Sequence, residues 1–466
     1  MSAGHTSAGL FTLEQAVAWS GGSPSGSLPA AFQGVSTDSR ELRAGSLFVA
    51  LRGERFDGHA FVEKAIRAGA GAALVARGAR AIEAGGLPLL EVGDTLAALG
   101  ALARGYRRLH GALVVGLTGS VGKTTTKELA AAALSPLGPV LKTEGNLNNE
   151  IGVPLTLFRL APEQRAAVVE LGMNHEGEIA RLAAIAEPSI GLVTNVRGVH
   201  LETLGTIERV AVAKGELFRG LPRDGVAVVW ADDPLALEQA KASGRRIVTF
   251  GRGDADVRLE GVLSSGWRGL AFRASAAGVG VEARVAFLGE HNALNGCAAL
   301  AVALAAGVPL ADAAAALALA RPAPHRLAVV GLPQDVVLID DCYNANPSSV
   351  AAALETLRGV GGGARLGAVL GDMLELGPEE GRLHRETGER TRGLAWVCAF
   401  GPRAAALAEG ARAAGVPEVF HSDDFDAALG WLQRQLRPGD RLLLKGSRGM
   451  RMERFGEALG APSGGH

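Results

Sequence analysis

Cysteine is scarce in this chain. Cys297, Cys342 and Cys398 are the three among 466 residues, and no two stand in Cys-x-x-Cys spacing. That argues against a disulfide framework or a structural zinc site, and for a reducing compartment. An excess of one charge is also missing. The 47 Lys and Arg against 48 Asp and Glu leave a net charge of −1, so no bulk attraction to nucleic acid or acidic lipid is expected. Residues 1–10 have neither a basic n-region nor an apolar h-region, so no secretory signal is expected. The longest apolar stretch, 297–311, contains Gly307 and Pro309 and falls short of a membrane span. No repeat with a fixed period of about 20–50 residues is apparent. With 48% hydrophobic and 20% charged residues the chain can bury several cores, and its length suggests about three domains. The expectation is a soluble, cytoplasmic monomer with no nucleic-acid partner and no membrane insertion.

What the chain does have is Gly116-Leu-Thr-Gly-Ser-Val-Gly-Lys-Thr124, which closes the apolar run 112–117 and opens the helix-like run 123–134. A strand feeding a glycine turn that feeds a helix N-terminus is a way to hold nucleotide phosphates. Backbone N–H groups and the helix dipole face the anion, a lysine adds a point charge, and a hydroxyl ligates magnesium. The spacing departs from Gly-x4-Gly-Lys-[Ser/Thr], because the first glycine should fall at Leu117 and Gly116 comes one place early. A glycine turn before an ordinary amphipathic helix is the competing reading. It leaves Gly119, Gly122, Lys123 and Thr124 arriving together by chance.

The chain divides into three regions. Residues 1–107 show short alternating runs and glycine turns, with strand candidates at 46–51 and 72–75 and helix-like stretches at 61–68 and 96–109. From 108 to 321, strand candidates at 112–118, 166–171, 190–196 and 226–230 alternate with helices of crossover length. This implies a parallel sheet with ligands at the carboxyl ends of its strands. Residues 252–287 look antiparallel, helices are expected at 293–306 and 310–319, and Arg321-Pro-Ala-Pro324 marks a boundary. Residues 322–466 repeat the theme, with strands expected at 336–341, 366–370, 394–400 and 441–445. The fold class is α/β, with two open sheets after a smaller first domain.

Several polar residues fall at strand ends. Glu170 closes Ala166-Ala-Val-Val-Glu170 and is placed to reach a nucleotide magnesium, although a surface carboxylate fits the same position. His200 and Lys214 are unremarkable alone, since a lone histidine or a solvated lysine is the commoner case. His291-Asn-Ala-Leu-Asn295 opens a helix, where its amides could bond a base or merely cap. Asp340-Asp-Cys-Tyr-Asn-Ala-Asn-Pro347 suits a ribose and a polar ligand, or an Asx turn before a Pro-started helix. Gly371-Asp-Met-Leu-Glu-Leu-Gly377 and Lys445-Gly-Ser-Arg448 follow later strands and would crowd the same edge.

Together these residues resemble the Mur ligases, ATP-dependent amide-bond ligases of peptidoglycan precursor synthesis, over roughly residues 34–455. The family's phosphate loop has the form Gly-x-Thr-Gly-Ser-x-Gly-Lys-Thr, which accounts for Gly116. Ser36-Thr-Asp-Ser-Arg40, Gly45 to Gly53 and Asp57-Gly-His59 look like a UDP-binding domain. Gly145-Asn-Leu-Asn-Asn-Glu-Ile-Gly-Val-Pro154, Glu170-Leu-Gly-Met-Asn174 and Asp341-Cys-Tyr-Asn-Ala-Asn-Pro347 resemble the member that adds D-alanyl-D-alanine to UDP-N-acetylmuramoyl-tripeptide. The tripeptide-forming relative would carry Asp-Asn-Pro-Arg, whereas Asn346-Pro347 here precedes Ser348, and Cys342 stands where the family more often has serine. Folylpolyglutamate synthetase shares the loop but not this combination. A GTPase-like switch would need an Asn-Lys-x-Asp motif that the chain lacks.

The resemblance implies a small α/β UDP-binding domain, a central ATPase domain on a parallel sheet and a Rossmann-like C-terminal domain. It assigns ATP to Thr118, Gly119, Ser120, Val121, Gly122, Lys123, Thr124, Asn292, Asn295, Arg326 and Asp341. Two Mg²⁺ ions are implied on Thr124, Glu170, His200 and Lys214, the last as a carbamate. It assigns substrate to Ser39, Arg40, Asn146, Asn148, Asn149, Tyr343, Asn344, Asn346, Lys445 and Ser447, with Asp372 and Arg448 nearby. Lys123, Lys214, His200 and Arg326 are the residues it implies for catalysis. Lys123→Ala is expected to abolish ATP turnover, read as phosphate release; wild-type-like release would remove the assignment.

Overall fold

The computed structural model describes residues 9–53, 56–79, 86–199 and 201–461, apart from the Leu201 side chain. Three principal sheets carry the fold, with five, nine and six strands, and a two-stranded ribbon joins Phe11–Thr12 to Ala31–Phe32. In the first sheet Val35–Ser36, Leu47–Val49, Ala72–Ala76 and Leu89–Val92 run parallel, and Ser23–Ser25 closes one edge antiparallel. The alternation of short apolar strands with helices dictates this arrangement, because parallel neighbours need a crossover between them.

The nine-stranded sheet has Leu113–Thr118 between Ala166–Glu170 and Ile190–Val193. The chain visits one side of the central strand and then the other, which makes this strand's carboxyl end a switch point where a crevice opens. Val140–Lys142 forms one edge. Val226–Trp230 and Arg246–Gly251 extend the parallel part, and the meander Val257–Gly266, Gly269–Ala276, Val279–Val285 completes the other edge. The third sheet orders Ala328–Leu332, Val336–Asp340, Arg441–Lys445, Leu366–Gly371, Trp396–Phe400 and Glu418–Ser422, all parallel except the first pair.

The sequence reading does not include Val140–Lys142, Arg246–Gly251, Ala328–Leu332 or Glu418–Ser422. Val140–Lys142, Ala328–Leu332 and Glu418–Ser422 lie at sheet edges, where one unpaired side relaxes the demand for a continuous apolar run. No helix among the described residues is long and apolar enough to cross a membrane.

The first and second sheets are not packed independently. One apolar core joins Phe11, Phe32, Leu99 and Leu102 to Leu157, Ile179 and Leu182. The helix Thr95–Arg107 sits at the join, its N-terminus capped by Asp94. Buried Tyr106 donates its hydroxyl to the Leu160 carbonyl at 2.6 Å, and Arg104 and Arg108 both reach Glu187. The third sheet has separate cores on its two faces. At Gly105 this helix leaves no room for a side chain: a Cβ there would lie 2.2 Å from the Trp19 ring. Gly105→Leu is expected to lower stability by about 1–3 kcal/mol through overpacking, read as a shift of the first urea transition.

Candidate functional site: a phosphate loop facing a second sheet

The buried strand Leu113–Thr118 ends at a loop, 119–122, that enters the helix Lys123–Leu134 at Gly122, whose φ is +83°. Gly119 has a φ of +151°, and a Cβ there would lie 1.9 Å from Thr194 Oγ1. Only glycine permits that approach. The segment after Ile190–Val193 then grips the loop. Asn195 accepts the Ser120 N–H through its carbonyl and the Val121 N–H through its side chain, both at 3.0 Å. Thr194 Oγ1 and Asn195 Nδ2 both donate to the Val121 carbonyl, at 2.8 and 3.0 Å. With Ser120 and Val121 engaged, the donors facing an anion are those of the helix's first turn.

Gly116 plays no part in the turn. It lies within the strand, level with Gly191, and a Cβ on it would meet Leu217 at 2.9 Å and Pro188 at 3.1 Å. Its placement lets the helix Ile207–Arg219, which carries Lys214, lie close on the sheet. Lys214 is 2% exposed. Burial, and then the charge of Lys123, hold its amine well below the ordinary lysine value. Lys123 is also lowered by desolvation, with Glu170 opposing and Arg326 reinforcing the shift, and its Nζ donates to the Gly119 carbonyl at 2.9 Å.

Glu170 is 3% exposed at the end of the adjoining strand. One oxygen accepts from Thr124 Oγ1 at 3.2 Å and the other from Asn148 Nδ2 at 3.0 Å. Its own N–H donates to Thr143 Oγ1 at 2.9 Å. Arg326 crosses from the third sheet's side. Its Nη2 is 3.3 Å from Thr124 Oγ1, its guanidinium lies 4.0 Å over the Tyr343 ring, and its buried Nε has no hydrogen-bond partner among the described residues. A hydroxyl, a carboxylate, a lysine and an arginine with an unmet donor thus converge at one helix N-terminus, a set suited to a polyanion with a hard divalent cation.

A cavity of about 610 Å³ opens between the second and third sheets. Of the expected residues, Ser120, Lys123, Asn146, Asn148, Asn149, Glu170, Arg326, Tyr343, Asn344, Asn346 and Ser447 line it. Some of these, and Asp341, are also committed to local structure. Asn149 Oδ1 accepts from Ile151 and Gly152 N–H, and Asn346 caps the helix Pro347–Val360. Asp341 pairs with Lys445 at 2.5 Å and also accepts the Leu327 N–H, and Ser447 Oγ accepts the Leu374 N–H. Asn295 lies about 3.1 Å from where a Gly122 Cβ would stand, and it donates to Asn292, which in turn donates to the Leu288 carbonyl. Ser39 and Arg40 do not line this cavity. Arg40 is tied to Asp38 on the first domain, and that pairing holds the Asp38 carboxyl down at about 2. His200 lies outside the described residues.

The sequence reading misses Leu96, Glu178 and Leu182, which also line the cavity. Glu178 accepts the Asn174 N–H, and so holds the turn after Glu170. An apolar helix position has no chemical signature, which is why Leu96 and Leu182 pass unnoticed.

Comparison with known proteins agrees with this geometry. Residues 31–107 match the description Mur ligase family, catalytic domain; residues 117–303 match Mur ligase middle domain; residues 325–448 match Mur ligase, glutamate ligase domain. The UDP-N-acetylmuramoyl-tripeptide–D-alanyl-D-alanine ligase of Escherichia coli is 40% identical over 91% of this chain and 93% of its own length. That of Bacillus subtilis is 38% identical over 90% and 91%. Among solved structures, MurF from Acinetobacter baumannii superposes with a TM-score of 0.88 at 34% identity, covering 96% of this chain and 98% of its own. MurF from Thermotoga maritima in complex with ADP gives 0.80 at 30% identity, covering 91% and 96%. With three consecutive family matches and relatives of this identity over nine-tenths of its length, the chain belongs to the Mur ligase family.

Proposed function

We propose that this chain joins D-alanyl-D-alanine to UDP-N-acetylmuramoyl-tripeptide with ATP, releasing ADP and phosphate, as the cytoplasmic ligase of a peptidoglycan precursor. The observation that carries this reading is the near-full-length likeness to ligases named for that reaction. The domains divide the work: 1–107 for the UDP-muramoyl end, with Ser39 and Arg40; 108–321 for ATP; 322–466 for the dipeptide. A monomer suffices, since the cavity is formed within one chain.

A peptide carboxylate acylates poorly, so ATP first phosphorylates it to an acyl phosphate. The dipeptide's amine attacks that carbonyl, and the tetrahedral species expels phosphate. The protein aligns the reactants and neutralises accumulating negative charge. Lys123 and the amides from Gly122 to Thr124 face the β- and γ-phosphates. Arg326, its Nε free and its plane fixed on Tyr343, meets the transferring γ-phosphate. Asn292 and Asn295 meet the adenine and Asp341 the ribose. Asn146, Asn148 and Asn149 face the muramoyl peptide, and Tyr343, Asn344, Asn346, Lys445 and Ser447 face the dipeptide end.

The residues present fit magnesium. Thr124 Oγ1 and Glu170 Oε2 are hard oxygen donors 3.2 Å apart at the helix N-terminus. Bound there, Mg²⁺ would offset phosphate charge. Lys214 and His200 would serve a second ion. Burial, and then the Lys123 charge, lower the Lys214 amine and so favour its neutral form, the one that adds carbon dioxide to become a carbamate.

Two measurements test the reading. Phosphate release with UDP-N-acetylmuramoyl-tripeptide, D-alanyl-D-alanine and ATP is expected to stop when any one is omitted; release that ignores the dipeptide would instead mark a nucleotide-driven regulator. Lys214→Ala is expected to lose activity that short carboxylic acids restore, and absence of rescue would count against the carbamate.

A further inference from the structure

His325, Asp340 and Cys342 form a cluster that no step above uses. The strand pairing that sets Ala328 opposite Asp340 brings His325, the residue just before Arg326-Leu-Ala328, back over the end of Val336–Asp340. His325 Nδ1 lies 2.7 Å from Asp340 Oδ2, and Cys342 Sγ lies 2.8 Å from Asp340 Oδ1 and 3.5 Å from His325 Nδ1. All three atoms fall within 4.8 Å of one another. The backbone holds the arrangement: Tyr343 N–H donates to the His325 carbonyl at 3.2 Å, and Cys342 N–H to Asp340 Oδ1 at 3.2 Å.

One nitrogen, one oxygen and one sulfur donor make a borderline-soft set, the kind that selects zinc-type ions over magnesium. Tetrahedral zinc with bonds of about 2.0–2.3 Å needs donors roughly 3.2–3.8 Å apart. The 3.5 Å between Cys342 Sγ and His325 Nδ1 falls in that range, and the contacts to Asp340, at 2.7 and 2.8 Å, lie below it. The thiol is buried, while His325 and Asp340 keep 19% and 14% of their side chains exposed, so one side is open for entry and for a water ligand. Glu453 acts electrostatically on Cys342, and its buried Oε2 has no hydrogen-bond partner among the described residues.

A nucleophilic cysteine is the rival use of these three residues. Burial and then the Asp340 charge push the thiol upward, the reverse of an activated thiolate. A dication supplies the missing positive charge.

We propose that His325 Nδ1, Asp340 and Cys342 Sγ bind one zinc-type divalent cation, with water as fourth ligand, clasping the interdomain linker to the third sheet. On binding, the Sγ–H bond breaks, an Sγ–metal bond forms and the proton leaves to solvent. Occupancy pins the residue next to Arg326, and so bears on the arm that reaches Thr124. The scattered cysteines conceal such a site, because its ligands come from a linker and a strand end and lack a paired-cysteine spacing.

The test is titration of the metal-free full-length protein with Co²⁺, without nucleotide. One equivalent is expected to raise a thiolate-to-cobalt charge-transfer band and strong tetrahedral visible bands, and Zn²⁺ to bleach both. Cys342→Ser is expected to lose the charge-transfer band and weaken Co²⁺ binding about 100-fold. His325→Gln, which keeps the thiol, is expected to weaken it at least about tenfold, so the result stands if the serine variant does not fold. Weak octahedral bands alone in the wild type, as oxygen ligation at Thr124 and Glu170 would give, overturn the proposal. So does a charge-transfer band that persists in Cys342→Ser.

Discussion

Gly119 passes so close to Thr194 that no side chain fits between them, and the whole phosphate edge depends on that contact. With the strands Leu113–Thr118 and Ile190–Val193 joined in register, Thr194 and Asn195 reach the loop and take up its Ser120 and Val121 polar groups. The loop is thereby held before any ligand arrives, and little ordering cost remains when an anion binds. The same economy puts Gly116 and Gly191 side by side under Leu217, which brings the Lys214 helix down onto the sheet.

Charge near the loop is arranged around a single carboxylate. Glu170 is almost wholly buried, yet both its oxygens and its backbone N–H are engaged, by Thr124, Asn148 and Thr143. Around it stand Lys123 and Arg326; desolvation, and then the Arg326 charge, depress the Lys123 amine, and desolvation, and then the Lys123 charge, depress that of the buried Lys214. A site with more positive than negative side chains in a buried setting is poised for a ligand that brings the missing negative charge. The first two sheets share an apolar core, so Leu96 from the first domain can help form the cavity wall. The third sheet, one of whose cores also takes in Leu288 of the second domain, meets the loop through Arg326 and Tyr343.

Much of this was legible in the chain itself. The helix Lys123–Leu134 and the strands Val226–Trp230 and Arg441–Lys445 fall where the apolar patterns and the glycine turn put them. Strands such as Arg246–Gly251 and Glu418–Ser422 escaped, since each is a short run of mixed polar and apolar residues, the second with no fully buried position. Glu170 stood out only because its strand adjoins the loop strand. Lys214 had no mark of its own: a lysine inside Val212-Ala-Lys-Gly-Glu reads as solvated, and only the fold shows it to be 2% exposed.

The sequence by itself determined that a strand–glycine–helix unit would exist, that its helix would begin at Lys123, and that α/β layers would surround it. Those features are local, set by φ-permissive glycines, apolar periodicity and the polar residues that end each run. The folded chain is what settles which loop amides are already bonded, which lysine is buried and has its amine lowered, and that Arg326, distant in sequence, lies within reach of Thr124. Those outcomes depend on desolvation and on contacts between strands far apart in the chain, and neither quantity is a property of any short segment.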